Sequence, residues 1–185
     1  MAEHAALVLA SASPQRRAIL ERVGAMFVVR PANIEEIGQG EPAVVARENA
    51  LGKARAARLN QEETVLGVDT LVAIDGRIYG KPADRDAARE TLKALGGATH
   101  TVFSGVAVLV EEEERVAVAA TEVSFRELSD ERVEWYLAKE EWRGRAGAYA
   151  IQGAGAVLVR EIHGDYENVV GLPLATLLDL YPALL

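Results

Sequence analysis

The sequence predicts a β-sheet with helices packed around it, of the α/β or α+β class, and three observations carry that expectation. Short apolar runs rich in Val, Leu and Ile alternate along the chain with longer segments whose apolar residues recur at helical spacing. The helical segments open on recognisable caps, at Ser13-Pro14, Pro42, Asp84 and Ser129. An Asp75-Gly76 pair between two apolar runs supplies the positive φ angles of a tight hairpin. With 185 residues, 50% of them hydrophobic, the chain can bury a sizeable core and is too apolar to be disordered.

From the N-terminus, Leu7 to Leu9 reads as a short buried strand. Ser13 then caps a helix with Pro14 at its first position, where an N–H is not needed, and Ile19, Leu20 and Val23 form the inward face before Gly24. Met26 to Val29 reads as a second strand. Beyond the polar loop NIEEIGQGE, Pro42 opens a helix to about Leu59; Val44, Val45 and Leu51 are spaced for burial, while Lys53, Arg55 and Arg58 are expected mostly outward. The stretch VLGVDTLVAIDGRIYGKP reads as a strand, a turn and a return strand. Asp84 caps a helix to about Leu95, which the Gly96-Gly97 pair stops. Val102 to Val110 and Arg115 to Phe125 are long strands joined by an acidic tip, Glu111 to Glu114, whose plain reading is a solvated turn. Ser129 starts another helix, with Asp130 and Glu131 favourable in its first turn. Glycine-rich turns in GRAGAYAIQGAGA lead to a strand from Val157 to Ile162, and a closing helix spans about Leu174 to Leu180. No repeat at a period of roughly 20 to 50 residues interrupts this, so residues 1–185 are read as a single domain.

Composition excludes several classes of function. Without cysteine there are no disulfides, thiolate metal sites or cysteine nucleophiles, so a metal would rest on oxygen or histidine. His4, His100 and His163 lack ligand spacing and read as surface or loop residues. A net charge of -8 opposes polynucleotide binding, although the 20 basic residues can still line a local pocket for a small anion. No apolar run approaches the roughly 18 residues of a membrane span, and MAEHAALVLAS is not a secretory signal, which leaves the cytoplasm as the expected setting. There is also no GK[ST] phosphate loop, HExxH, GxSxG or GxGxxG after a strand.

Two anomalies point to chemistry. Arg16 and Arg17 stand near a helix N-terminus, which repels cations unless an anion sits there, and the free N–H groups of that end would bind the same anion. The arrangement suggests a phosphate site, against the plain reading of two solvated arginines. Asp69 interrupts the apolar strand VLGVDTLVAI, where a buried carboxylate must be paired, hydrogen-bonded, metal-bound or protonated, which makes it a site candidate; an edge strand with Asp69 facing water, or a structural ion pair, is the alternative. Lys53 and Lys81 read individually as surface lysines. Glu35 and Glu36 form a loop pair of the kind that suits a hard cation arriving with phosphates, although paired acids on a loop are more often simply solvated. Gln152 can read a nucleobase edge, since an amide both donates and accepts, or tie down its own loop.

Together, LASASPQRR, NIEE, ENALGKARA, GVDTLV, GKP, AGAYAIQG and YENVVGLPL, dispersed in this order from residue 7 to about 180, resemble the Maf family of nucleoside triphosphate pyrophosphatases, also called septum-formation inhibitors. The resemblance implies an elongated α/β fold similar to the inosine triphosphate pyrophosphatases, with a twisted mixed sheet, two lobes and a cleft. It implies cleavage of a nucleoside triphosphate to monophosphate and pyrophosphate with a divalent ion, magnesium or manganese, and a homodimer as a family-level expectation. By motif, Asp69 matches the catalytic proton acceptor, Ser11, Arg16, Lys53 and Lys81 match phosphate-site positions, and Glu36 matches an acidic position in the same cleft; Glu36 and Asp69 would hold or orient the metal, with tight ligand and free base as alternative roles for Asp69. AGAYAIQG resembles the subfamily acting on dTTP and UTP rather than the one acting on 7-methyl-GTP, with Gln15, Thr70 and Gln152 at positions tied to substrate choice. That subfamily often reads SPRR; here Gln15 replaces the first arginine, removing a charge and several donors. Arg145 stands where lysine is frequent. A nucleotide-binding regulator of cell division without turnover is the rival of another class, and it would not need Asp69.

Overall fold

The computed structural model describes residues 6–185; His4 lies outside the described residues. The chain runs β1 (Leu7–Leu9), α1 (Pro14–Arg22), β2 (Phe27–Val29), α2 (Pro42–Ala57), β3 (Val65–Ile74), β4 (Arg77–Tyr79), α3 (Arg85–Leu95), β5 (Thr99–Val110), β6 (Glu113–Phe125), α4 (Asp130–Leu137), β7 (Val159–His163), α5 (Tyr166–Val170) and α6 (Leu174–Leu180). Single 3-10 turns lie at Ala146–Ala148, Ala154–Val157 and Pro182–Leu184. The seven strands form one mixed sheet in the order β2-β1-β3-β5-β6-β7, with β4 paired to β3. β1 is parallel to β2 and β3, and every other pairing is antiparallel. This is the α/β sheet flanked by helices that the sequence predicts.

Local chemistry explains the boundaries that matter for the site. Ser13 caps α1 by accepting from the Arg16 N–H at 3.4 Å, with Pro14 at the first helical position. Asp75 and Gly76 both take positive φ, 49° and 77°, and turn β3 directly into β4. β3 is the pivot of the sheet. One of its sides pairs with β5 from Val65 to Ala73, whereas the other pairs with β1 at Val65 and Leu66 and with β4 from Val72 to Ile74. Between those two partners, Gly67–Leu71 meets no strand on that side among the described residues, so the sheet has a gap at Asp69 and Thr70.

Alternation along β3 sends neighbouring residues through that gap to opposite faces. Val68 and Val72 join the main core with α1, α3, α4 and α6, and Gly67, Asp69 and Leu71 face α2. α2 lies unusually close to the sheet. A Cβ at Gly67 would fall 2.1 Å from the Ala50 carbonyl oxygen, and one at Gly105 would fall 2.1 Å from that of Ala46. Only glycine on the strands and alanine on the helix permit this approach.

Several expectations are corrected. Lys53 is buried, because α2 turns its Asn49 and Lys53 toward the carboxylate on β3 instead of toward water. Val44 is 54% exposed, lying on the opposite side of that helix from Val45 and Ala46. His100 is buried at 1% exposure, with Phe125 and Tyr149 packed edge-on against its ring. α2 ends at Ala57 rather than Leu59, Met26 precedes β2, and the last strand begins at Val159 because a 3-10 turn occupies Ala154–Val157. The sequence reading also missed α5, the five-residue helix inside YENVVGLPL.

Candidate active site

The site lies where β1 ends, at the gap beside β3, the kind of place where open α/β sheets bind ligands. Ala10 and Ser11 leave β1 there and lead into the N-terminus of α1. A cleft of about 390 Å³ is lined by Ser11, Ser13, Gln15, Arg16, Glu36, Lys53, Thr70, Lys81, Arg145, Tyr149 and Gln152, among others. An adjoining cavity of about 340 Å³ shares Arg16, Glu36, Lys53, Thr70 and Lys81 with it, and adds Asn49 and Asp69. Ser11, Gln15, Arg16, Glu36, Lys53, Asp69, Thr70, Lys81 and Gln152 therefore border two adjoining cavities, whereas Arg17 and Glu35 border neither.

On the α2 side the gap holds a charged cluster. Asp69 is buried, at 6% exposure, and is paired on both oxygens: Oδ1 accepts from Lys53 Nζ at 2.6 Å, and Oδ2 accepts from Asn49 Nδ2 at 3.0 Å. Lys53 Nζ also lies 2.7 Å from Glu36 Oε1, so one ammonium bridges two carboxylates. Asn49 and Lys53 are four residues apart on α2 and share a face. The Asn49 amide is itself fixed, accepting from the Ile37 N–H at 2.8 Å and donating to the Ile37 carbonyl at 3.0 Å. Among the described residues no group of three or more His, Asp or Glu side chains is arranged to hold a metal.

The other side of the gap belongs to Arg16. Its guanidinium donates from Nε to the Gly171 carbonyl at 2.9 Å, from one Nη to Ser11 Oγ at 2.9 Å, and from the other to Thr70 Oγ1 at 3.1 Å. All three acceptors are neutral. Burial pushes the Arg16 pKa down, and the nearby negative charges of Asp69 and Glu36 only partly oppose this. A buried cation with neutral hydrogen-bond partners, at a helix N-terminus and bordering a cleft, is an arrangement that can receive an anion. Thr70 also meets Ser104 Oγ at 2.8 Å, which fixes its hydroxyl from behind. Arg17 points away, 3.5 Å from Glu21 on the exposed face of α1.

The remaining residues form the rim. Gln15 is tied through its carbonyl oxygen, which accepts from Ser13 Oγ at 3.1 Å, so its amide NH2 is the end left for a ligand. Lys81 is exposed and makes no ion pair among the described residues. Gln152 is exposed on a turn held by Tyr136, whose hydroxyl accepts from the Ala150 N–H at 2.9 Å. Glu35 is exposed and lies outside both cavities. Sequence reasoning passed over Asn49, Ser104 and Gly171. Asn49 was legible as a polar residue one turn before Lys53 on the same face, but the Gly171 carbonyl carries no side-chain signal.

Comparison with known proteins fits this geometry. The family model described as Maf-like protein matches residues 6–183. The chain belongs to the Maf family. Similar members include proteins named dTTP/UTP pyrophosphatase from Pyrococcus furiosus, 42% identical over 177 residues, and from Moorella thermoacetica, 48% identical over 179 residues. A third of that name, from Dictyoglomus thermophilum, is 44% identical over 180 residues. Each match covers 94% of this chain, and 93%, 92% and 93% of the three relatives respectively. The Maf family's motifs thus fall on the two walls of one gap: LASASPQRR and YENVVGLPL meet at Arg16, while NIEE, ENALGKARA and GVDTLV meet at Lys53.

Proposed function

We infer that this Maf protein hydrolyses nucleoside triphosphates, dTTP and UTP by preference, to the monophosphate and pyrophosphate. The observation that carries the reading is the buried Arg16 guanidinium with neutral partners, facing a buried Asp69 across the same gap. One wall is built to receive phosphate, and the other holds an acid where water can be deprotonated. The names of the relatives favour dTTP and UTP over 7-methyl-GTP, and a regulator without turnover leaves the Asp69 arrangement unexplained.

Each Asp69 oxygen accepts one protein hydrogen bond and retains a second lone pair, so the carboxylate can take a bond, and then the proton, from an attacking water. That water's oxygen bonds to phosphorus as the α–β anhydride bond breaks, and pyrophosphate leaves with its electron pair. Arg16, Lys53 and Lys81, with Ser11 as a hydroxyl donor, neutralise charge on the triphosphate and on the departing pyrophosphate. The carboxylates of Asp69 and Glu36 are hard oxygen donors close enough for one ammonium to bridge, which fits magnesium or manganese with phosphate oxygens and water completing its shell. Such an ion supplies charge neutralisation at the phosphate oxygens. Gln15, Thr70 and Gln152 would discriminate the nucleoside through hydrogen bonds that a wrong base leaves unmade. All these groups come from one chain, so the homodimer expected of the family is not required to complete the site. A cytoplasmic setting agrees with the substrate.

Competition among dTTP, UTP and 7-methyl-GTP tests the reading, with products identified as monophosphate and pyrophosphate. Preference for the two pyrimidine substrates is expected, and preference for 7-methyl-GTP overturns the subfamily assignment.

A further inference from the structure

We propose that the Lys53 ammonium is a built-in occupant of the divalent-cation position, holding Asp69 and Glu36 together in the nucleotide-free chain and moving onto phosphate when a metal–nucleotide complex enters. The proposal rests on the metal-dependent reading above.

Lys53 Nζ touches Asp69 Oδ1 at 2.6 Å and Glu36 Oε1 at 2.7 Å, and these carboxylates come from β3 and from the loop before α2. A magnesium ion binding the same two oxygens would sit about 2.0–2.1 Å from each, in contact with the ammonium, so the two cations cannot share the place. One ammonium also leaves the carboxylate pair with a residual negative charge, which draws in a divalent ion once an alternative partner for the lysine arrives.

The architecture gives the ammonium a route. Lys53 borders both cavities, whereas Asp69 borders only the one on the α2 side, and a flexible four-carbon stem can carry Nζ from that cavity into the one lined by Ser11 and Arg16. The base of that stem stays fixed, because α2 is pressed against Gly67 and Gly105. Asn49 keeps the acids assembled when the lysine leaves. It holds Asp69 Oδ2 directly, and it holds the Glu36 loop through both backbone groups of the adjacent Ile37. The carboxylate pair is thus preset for a cation independently of Lys53.

The test is a manganese titration without nucleotide, read by electron paramagnetic resonance of free Mn2+, on wild type, Lys53→Met and Lys53→Gln. The glutamine keeps one hydrogen bond to the acids and serves if the methionine variant does not fold. Wild type should bind Mn2+ weakly, either lysine variant at least tenfold more tightly, and Lys53→Met/Glu36→Gln should lose the gain. In wild type with selectively 13C-labelled lysine, the Lys53 ε-carbon resonance should shift when Mg2+ is added with a non-hydrolysable dTTP analogue, and stay in place with Mg2+ alone. Lysine variants that bind Mn2+ no more tightly than wild type, or a resonance unmoved by the complex, overturn the proposal. Gained Mn2+ binding without dTTP turnover would refute the function and leave the cation position standing; turnover without gained binding would do the reverse.

Discussion

Gly105→Ala perturbs the site without altering any side chain in it. Gly105 pairs across the sheet with Asp69, and its α-carbon lies under α2. The added methyl would stand 2.1 Å from the Ala46 carbonyl oxygen and 2.4 Å from its carbonyl carbon, where even 3.0 Å is closer than real Cβ atoms come. Relief requires α2 to move off the sheet by about 1 Å, an overpacking change that costs about 1–3 kcal/mol. That displacement would stretch the 3.0 Å Asn49–Asp69 hydrogen bond beyond bonding distance and pull Lys53 from its two acids. A misplacement of about 1 Å can cost roughly 100-fold in rate. Urea denaturation and dTTP turnover, measured on the same preparation under conditions where the variant is folded, separate the two effects. A loss of about 1–3 kcal/mol with about 100-fold lower kcat/KM is expected. A folded variant with wild-type kcat/KM would refute the argument that close packing of α2 sets the geometry of Asp69. Gly67→Ala, whose methyl would stand 2.1 Å from the Ala50 carbonyl oxygen, should behave alike.

Other outcomes follow from single contacts. Arg16→Lys keeps the charge but not the three divergent donors that reach Gly171, Ser11 and Thr70, so kcat/KM should fall by about tenfold or more in steady-state assays. Gln15→Arg adds a cation beside the cleft, so KM should fall at low salt and the effect should fade as salt rises. Burial lowers the His100 pKa from 6.5 to about 4. Between those values the unfolded chain binds a proton that the folded chain refuses, so stability falls as pH drops through this window. At pH 5 the His100 contribution to that loss is about 2 kcal/mol, and denaturation of His100→Asn should show a pH dependence shallower by that amount than wild type.

Much of the fold was legible because it is written in local chemistry. Ser13-Pro14, Asp75-Gly76 and Asp84 each act on residues within a few positions of themselves, and the structure places all three as read. Asp69 stood out because a charge in an apolar strand demands a partner wherever the strand lies. The partner itself was hidden. Lys53 looked outward because helical spacing ranks positions by apolarity, and this face of α2 buries Asn49 and Lys53 precisely because a carboxylate awaits them. Val44 was misread for the converse reason, an apolar residue left facing solvent. Arg16 was identified by its conflict with the helix dipole, yet its link to Gly171 spans 155 residues and involves a backbone carbonyl, which no local pattern records. The gap in the sheet that admits both walls depends on where β1 stops and β4 begins along β3, a matter of register between distant segments.

The central claim is that Asp69 performs proton transfer in a triphosphate-cleaving site, and Asp69→Asn tests it most directly. The amide preserves shape and can still accept from Lys53, but its NH2 faces the Asn49 NH2 and the ion pair is lost, so the melting temperature should fall while the chain stays folded. Wild type with Mg2+ or Mn2+ should convert dTTP and UTP to monophosphate and pyrophosphate, and the variant should lose about 100- to 10,000-fold in kcat. Wild type without metal-dependent turnover, release of orthophosphate in place of pyrophosphate, or a folded Asp69→Asn chain with near-wild-type kcat would contradict the account.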